Sequence, residues 1–275
     1  MKPKKSIVIT MNIISILVVL AILSPLVLLF VNGFRQTPEI LKNPIKFPEG
    51  LYLDNFVNVF SNTSFLNNMK NSFIITISTV FLCILVTAPA GYALSRFRFI
   101  GKRLLVTWLL ASQAFPAILM AVGFFSVLNG LNLLNRLPGL IILYTTFTIP
   151  FCCWLLKGYF DEIPISIEEA AMVDGCDRSQ AFIRVVMPIA IPGLIAVGTF
   201  AFMLAWNEFF FALVVMRDNA HYTLPVFLSR FVGTGGAVEW GNLSAGGMIT
   251  ALPPVVIFLI FQKYLISGLT KGAIK

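Results

Sequence analysis

Charge is the scarcest commodity in this chain. Of its 275 residues only 12% are Asp, Glu, Lys or Arg, where a soluble domain carries about a quarter. Histidine is nearly missing, with His221 the single copy. The four cysteines, Cys83, Cys152, Cys153 and Cys176, show no metal-ligand spacing, which leaves no obvious metal centre. Three of them sit in apolar runs and read as small buried hydrophobes. No G-x-x-x-x-G-K-[ST] phosphate loop occurs, so the chain is not expected to hydrolyse ATP itself. A single histidine, with no metal-ligand spacing around it, argues against an enzyme built into a membrane. Low-complexity segments are absent, and no internal repeat supports an inverted-repeat carrier.

Hydrophobic residues fill the space that charge vacates. They make up 58% of the chain, the mean hydropathy is +0.89, and they come in long runs. This places the chain in the membrane class, all-α and polytopic. Spans are expected at 6–31, 72–94, 104–128, 138–156, 189–215 and 246–266. The first is too long for a signal-peptide core and lacks a small-x-small cleavage site, so it reads as a retained span. Pro116, Pro150 and Pro253–Pro254 lie inside spans, and kinks are expected there. The segment 32–71 reads as an external loop with a short helix near 52–60. The net charge of +8 does not imply nucleic acid, because no basic stretch covers a domain-sized solvated surface. The cations instead mark membrane edges against lipid.

Six spans put both termini on one side. With that side cytoplasmic, twelve Lys and Arg face inward and seven outward. The bias is strongest at Arg96, Arg98, Lys102 and Arg103, and Lys263 can snorkel from the last span. The cytoplasm then holds the insert 157–187, which carries six of the chain's twelve acidic residues. Ser166 and Glu169 have capping-box spacing, so a helix is expected from about Ile167 to Val173, stopped at Asp174-Gly175. Asp177 and Gln180 have the same spacing ahead of a second short helix, 178–186, limited by Pro188. Ala170 and Ala171 offer a smooth surface that a partner's groove can close around.

These residues carry a resemblance. Glu169-Ala170-Ala171, three residues, Gly175, nine residues, then Val185-x-Met187-Pro188 resembles the EAA signature of permeases in ATP-binding-cassette (ABC) importers. Val185 and Met187 stand where the usual pattern has Ile and Leu. Trp206-Asn207-Glu208-Phe209 and the C-terminal run Gln262-Lys263-Tyr264 … Gly268-Leu269-Thr270-Lys271-Gly272-Ala273 add two further matches. Together they are similar to the smaller permease of maltose-type carbohydrate importers, a type I transmembrane domain, over essentially the whole chain. The resemblance implies a second, homologous permease subunit, an ABC ATPase dimer at the cytoplasmic face carrying ATP and Mg, and an extracellular or periplasmic sugar-binding protein. It implies no cofactor on this chain and a bacterial-type cell membrane. It assigns Glu169, Ala170, Ala171, Asp174, Gly175 and Pro188 to ATPase coupling, Lys271 and Gly272 to a tail reaching the ATPase, and 217–242 to the loop that meets the binding protein. A disaccharide, a longer oligosaccharide or glycerol phosphate all remain open as cargo.

Glu208 is the one acid within a span, and an intramembrane carboxylate is a functional candidate. On a continuous helix from Ile189 it lies about 28 Å along, near the outer interface. It reads either as a polar contact ordering an outer gate or, with Asn207, as a sugar contact. Trp206 reads as a stacking surface for a pyranose or as an interfacial anchor. Gln113, mid-span, reads as a helix–helix bond or a hydroxyl ligand. An ion-coupled carrier acting without an ATPase is the rival, but it needs carboxylates near the midplane.

Overall fold

The computed structural model describes residues 5–48, 50–233 and 237–271. They form α1 (Lys5–Gly33), α2 (Thr37–Lys42), α3 (Asp54–Ser61), α4 (Thr63–Arg96), α5 (Lys102–Ser112), α6 (Ala117–Gly130), α7 (Leu137–Glu162), α8 (Ile165–Val173), α9 (Arg178–Ala181), α10 (Met187–Ile189), α11 (Ile191–Trp206), α12 (Phe210–Val215), α13 (Leu224–Leu228) and α14 (Trp240–Lys271). A π turn, Phe182–Val186, joins α9 to α10, and a 3-10 turn, Ser229–Phe231, follows α13. The one β contact among the described residues is an isolated bridge, Val232–Val238.

Among the described residues, four helical stretches are long and apolar enough to cross a membrane: Ile9–Gly33, Thr63–Arg96, Leu137–Glu162 and Trp240–Tyr264. Two further crossings exist if each of two bent pairs is one span. Lys102–Ser112 meets Ala117–Gly130 at 100°, and Arg178–Ile189 meets Ile191–Asn207 at 73°. The kink expected at Pro116 is thus a 100° break, and the continuous helix expected over 189–215 is corrected. Pro116 sits at φ −60°, ψ 125° ahead of α6. It has no amide to donate and drives Phe115 away from the α region, so the helix ends instead of kinking. The later segment stops at Trp206 and restarts at Phe210. By contrast α7 runs through Pro150 and α14 through Pro253 and Pro254. The loop expected over 32–71 ends early, because α4 begins at Thr63.

Internal packing divides the chain into two units, residues 1–66 with 226–252 and residues 67–225 with 253–275. In the first, Arg35 is 0% exposed. Its guanidinium donates to Glu39 Oε1 (2.9 Å), Asn32 Oδ1 (3.1 Å) and the carbonyls of Glu39 (3.2 Å) and Asn43 (2.8 Å). A buried guanidinium is tolerated when its donors are used in this way. Asn55 Nδ2 donates to the carbonyls of Gly33 (2.9 Å) and Arg35 (2.8 Å), which binds α3 to the end of α1.

The second unit has a core drawn from α4 (Cys83, Ala88, Tyr92), α7 (Cys152, Leu156, Phe160) and α11 (Val197, Ala201). Three cysteines, Cys83, Cys152 and Cys153, are buried free thiols, as expected from their apolar surroundings. Small residues let the backbones close up, as is usual between helices in lipid. A Cβ on Gly91 of α4 would lie 3.1 Å from Leu156 Cβ, and one on Gly193 would lie 2.5 Å from the Tyr159 ring.

Arg35→Met removes the donors used by the part-exposed Glu39 carboxylate and by two carbonyls, at a cost of about 1–3 kcal/mol. Segment 34–48 is expected to gain protease cleavage under conditions that spare the parent. An unaltered digestion pattern would show that the web around Arg35 is dispensable.

Candidate functional site

The insert after α7 is built on the ends of two long helices. α7 finishes at Glu162 and leaves carbonyls without intrahelical donors. Arg96, the last residue of α4, supplies them: Nη1 donates to Phe160 O and Nη2 to Ile163 O, both at 2.9 Å. Its Nε donates to Glu168 Oε1 at 2.5 Å, and Tyr92 OH donates to Glu168 Oε2 at 2.8 Å. Both charged side chains are only 7% exposed. Thus α4, the end of α7 and α8 are joined at one buried, charge-assisted hub. Ser95 Oγ adds a bond to Asp161 Oδ1 at 2.6 Å, and Lys157 Nζ pairs with Asp161 Oδ2 at 2.5 Å.

Helical spacing decides which face of α8 does what. Glu168 and Ala171, three apart, point inward and are buried. Ile165, Glu169 and Val173, four apart, point outward, and Ile165 is 55% and Val173 87% exposed. Ala170 is exposed beside them. An unpartnered apolar face on a well-anchored helix is a docking surface in form. α8 ends in a Schellman arrangement: Cys176 N donates to Ala171 O (3.0 Å) and Gly175 N to Met172 O (3.1 Å). Gly175 takes φ +95°, which the reversal needs and a side chain resists. Asp174 is the C-cap residue before it.

Of the two expected capping boxes one forms. Gln180 N donates to Asp177 Oδ1 (2.7 Å) and Asp177 N to Gln180 Oε1 (3.2 Å). The other does not: α8 starts at Ile165 behind Pro164, so Ser166 lies inside the helix and caps nothing. Pro164 stands at the N-cap itself, with no side-chain acceptor to offer the first amides. Pro188 does not end the second helix either. It enters α10 as an early residue where its missing amide costs little, and the sharp turn comes after Ile189.

The break after α11 holds the other candidates. Glu208 is not on a continuous helix. Its carboxylate accepts from Phe211 N (2.8 Å), Ala212 N (3.1 Å) and Tyr144 OH (2.5 Å), which caps α12 and ties it to α7. Asn207 is exposed at the end of α11, with Nδ2 donating to Met203 O at 2.9 Å. Gln113 Nε2 donates to Phe147 O at 3.2 Å, a helix–helix bond. Gln113, Tyr144, Phe147, Thr148 and Glu208 line a cleft of about 160 Å³. Ligand pockets run from about 300 to 1,000 Å³, so this cleft alone does not enclose a disaccharide. Trp206 does not join it. The indole is 1% exposed and stacks on Phe202 at 5.5 Å, so neither the pyranose-stacking nor the interfacial reading fits its position.

At the loop after α12, Asn135 accepts from Arg217 N (2.8 Å) and donates to Asp218 Oδ2 (2.6 Å), while His221 Nδ1 meets Asp218 Oδ1 at 2.7 Å. The bonds from Asn135 and then His221 hold the Asp218 carboxyl below its ordinary range. This tie is at full strength above the ordinary carboxylate pKa and is lost as pH falls through the lowered value. Lys271 closes α14, and Gly272–Lys275 lie outside the described residues. Among the described residues no group of His, Cys, Asp or Glu is placed to hold a metal ion.

The Arg96–Glu168 hub was not singled out in the sequence. Its signal was present as two adjacent glutamates at the start of a short helix, which cannot share one face. Nothing in the spacing marked Arg96 as the partner across 72 positions.

The family described as binding-protein-dependent transport system inner membrane component matches residues 84–271. A diacetylchitobiose uptake system permease protein of Streptomyces coelicolor is 32% identical, over 96% of this chain and 96% of the relative. A trehalose/maltose transport system permease protein of Thermococcus litoralis is 33% identical, over 95% of this chain and 94% of the relative. The fold matches the crystal structure of a bacterial ABC transporter involved in the import of the acidic polysaccharide alginate. The TM-score is 0.80 at 22% identity, covering 95% of this chain and 98% of that one.

Arg96→Met leaves Glu168 buried and unpaired and should cost about 3–5 kcal/mol, whereas Arg96→Met with Glu168→Leu should recover most of it. Thermal unfolding in detergent distinguishes them, and equal losses in both would remove the ion pair from the account. Glu208→Gln keeps one acceptor oxygen where the carboxylate offers two, so it is expected to lose about 1–2 kcal/mol. Tyr144→Phe should add little on top of it. Full additivity of the two in the same melts would contradict the shared cap.

Proposed function

This chain belongs to the family of inner membrane components of binding-protein-dependent transport systems, and we propose that it serves as the permease subunit of an ATP-driven carbohydrate importer. The observation that carries this reading is the clamped helix α8, whose inner face is fixed by Arg96 and whose outer face, Ile165, Glu169, Ala170 and Val173, is left open. A segment meant to transmit force needs both properties. It must be rigid toward the spans and complementary to something outside them.

In this reading the bent pairs each count as one crossing, six in all, with both termini and the insert 157–187 in the cytoplasm. The bias of Lys and Arg toward that side supports it. Glu169 and Ala170 meet a cleft of an ATPase subunit, Ala171 packs α8 inward, Asp174 and Gly175 set the elbow, and Pro188 sits in the turn back to α11. Lys271 and Gly272 begin a tail that reaches between two ATPase subunits. ATP and Mg belong to those subunits, since this sequence has no phosphate loop. A second, homologous permease completes the pathway, and a sugar-binding protein delivers cargo to the outer face. Rigid-body rocking of the bundles then switches access.

The named cargoes of the two relatives, diacetylchitobiose and trehalose or maltose, support a di- or oligosaccharide. In this reading Asn207 and Gln113 are the side chains of this subunit that meet hydroxyls, and Glu208 holds the gate region in shape. The rival ion-coupled carrier would need Glu208 for its ion, but three hydrogen bonds already occupy that carboxylate.

Gly175→Val forces an L side chain to φ +95°, at a cost of roughly 1–2 kcal/mol. No atom lies within 4 Å of its Cβ, so the effect reads the elbow's backbone alone. Uptake and co-purification of the ATPase should both fall several-fold, with membrane insertion intact. Normal uptake by this variant would remove the elbow from the coupling path.

A further inference from the structure

A second surface of the molecule carries a charge pattern that transport does not use. α5 runs antiparallel beside α7: Lys102 and Lys157 line one cleft at one end, and Gln113 bonds to Phe147 further along. The cleft, about 880 Å³ and open to the outside, is lined by Arg98, Lys102, Arg103 and Lys157. Asp161, the neighbouring carboxylate, is already held by Lys157 and Ser95. Lys102 Nζ turns to the carbonyl of Phe97 at 3.2 Å. Among the described residues, no hydrogen bond or ion pair is found for Arg98 or Arg103.

A second, apolar cleft of about 420 Å³ adjoins it and shares Phe99, Gly101 and Leu104 with it. It continues along α5 past Leu105 and Trp108, and the Leu104 and Trp108 side chains are exposed. The two clefts together have the outline of an amphiphile: an uncompensated pair of guanidinium groups at the membrane edge, then an apolar track along the exposed face of α5. Guanidinium forks match phosphate oxygens in geometry.

We infer that this end of the α4–α5 hairpin binds one anionic phospholipid, with its phosphate among Arg98, Lys102, Arg103 and Lys157 and an acyl chain along Leu104 and Trp108. The site goes beyond the transport reading and stands on different residues.

Brominated lipids quench tryptophan on contact, which turns Trp108 into a reporter. The full chain, purified with its partner subunits in detergent micelles, is titrated with brominated phosphatidylglycerol or brominated phosphatidylcholine. Trp108→Phe identifies the Trp108 share of the signal. Phosphatidylglycerol is expected to quench Trp108 at far lower concentration than phosphatidylcholine. Each cation near a headgroup is worth about a fivefold change in affinity, so Arg98→Gln with Arg103→Gln should weaken phosphatidylglycerol by roughly thirtyfold. Arg98→Lys with Arg103→Lys should keep most of the preference. Equal quenching by the two lipids in the parent protein would overturn the inference, as would an unchanged preference in the double Gln variant. So would an equal loss in Arg184→Gln, an exposed cation outside the cleft, because that outcome means general surface charge only. Inorganic phosphate at matching concentration is expected to leave the difference in place. If it abolishes it, the cleft is a free-anion site and not a lipid site.

Discussion

Much of this structure hangs on one guanidinium. Arg96 closes the C-terminal end of α7 by taking the carbonyls of Phe160 and Ile163, and in the same plane it holds Glu168 of α8. Buried at 7% exposure, neither charge tolerates the loss of the other. The insert therefore behaves as an extension of the long helices and not as a solvated connector. In the proposed reading, that rigidity lets the outer face of Ile165, Glu169, Ala170 and Val173 act as a handle on the spans.

The same economy recurs where helices break. Each interruption in an apolar segment exposes backbone groups that lipid cannot satisfy. At the end of α11 the freed amides of Phe211 and Ala212 are taken by Glu208, whose charge is steadied by Tyr144. Past the end of α5, Gln113 is used differently, in a bond between helices to the Phe147 carbonyl inside α7. In the other unit Asn55 takes the carbonyls at the end of α1, and Arg35 those at the end of α2. Scarce polar residues in this chain are spent mainly on backbone ends, which explains why so few remain free to meet a solute.

The class of fold was legible because hydrophobic runs of span length leave few alternatives, and the insert was legible because Asp174-Gly175 and Asp177-x-x-Gln180 are local signals with local consequences. The elbow at Gly175 and the cap at Asp177 are set by neighbours within five positions. The breaks near Pro116 and Asn207 were hidden, since hydropathy is continuous across them and only tertiary partners decide whether a proline ends a helix or is absorbed as at Pro150. Trp206 was misjudged for a related reason. Composition cannot tell a packed aromatic from an interfacial one, and stacking on Phe202 settles it. The partnership of Arg96 with Glu168 lies beyond any local pattern, because it links residues far apart in sequence through three helices.

The central claim is that α8 moves with α4 and α7 as one body. Spin labels at Val173→Cys in α8 and Trp154→Cys in α7, both exposed positions, measure it directly in the assembled importer. The account predicts one narrow distance distribution that stays the same with and without ATP, while labels across the two permeases move. A Val173–Trp154 distance that shifts or broadens on ATP binding would show the insert flexing on its own, and the account would be contradicted.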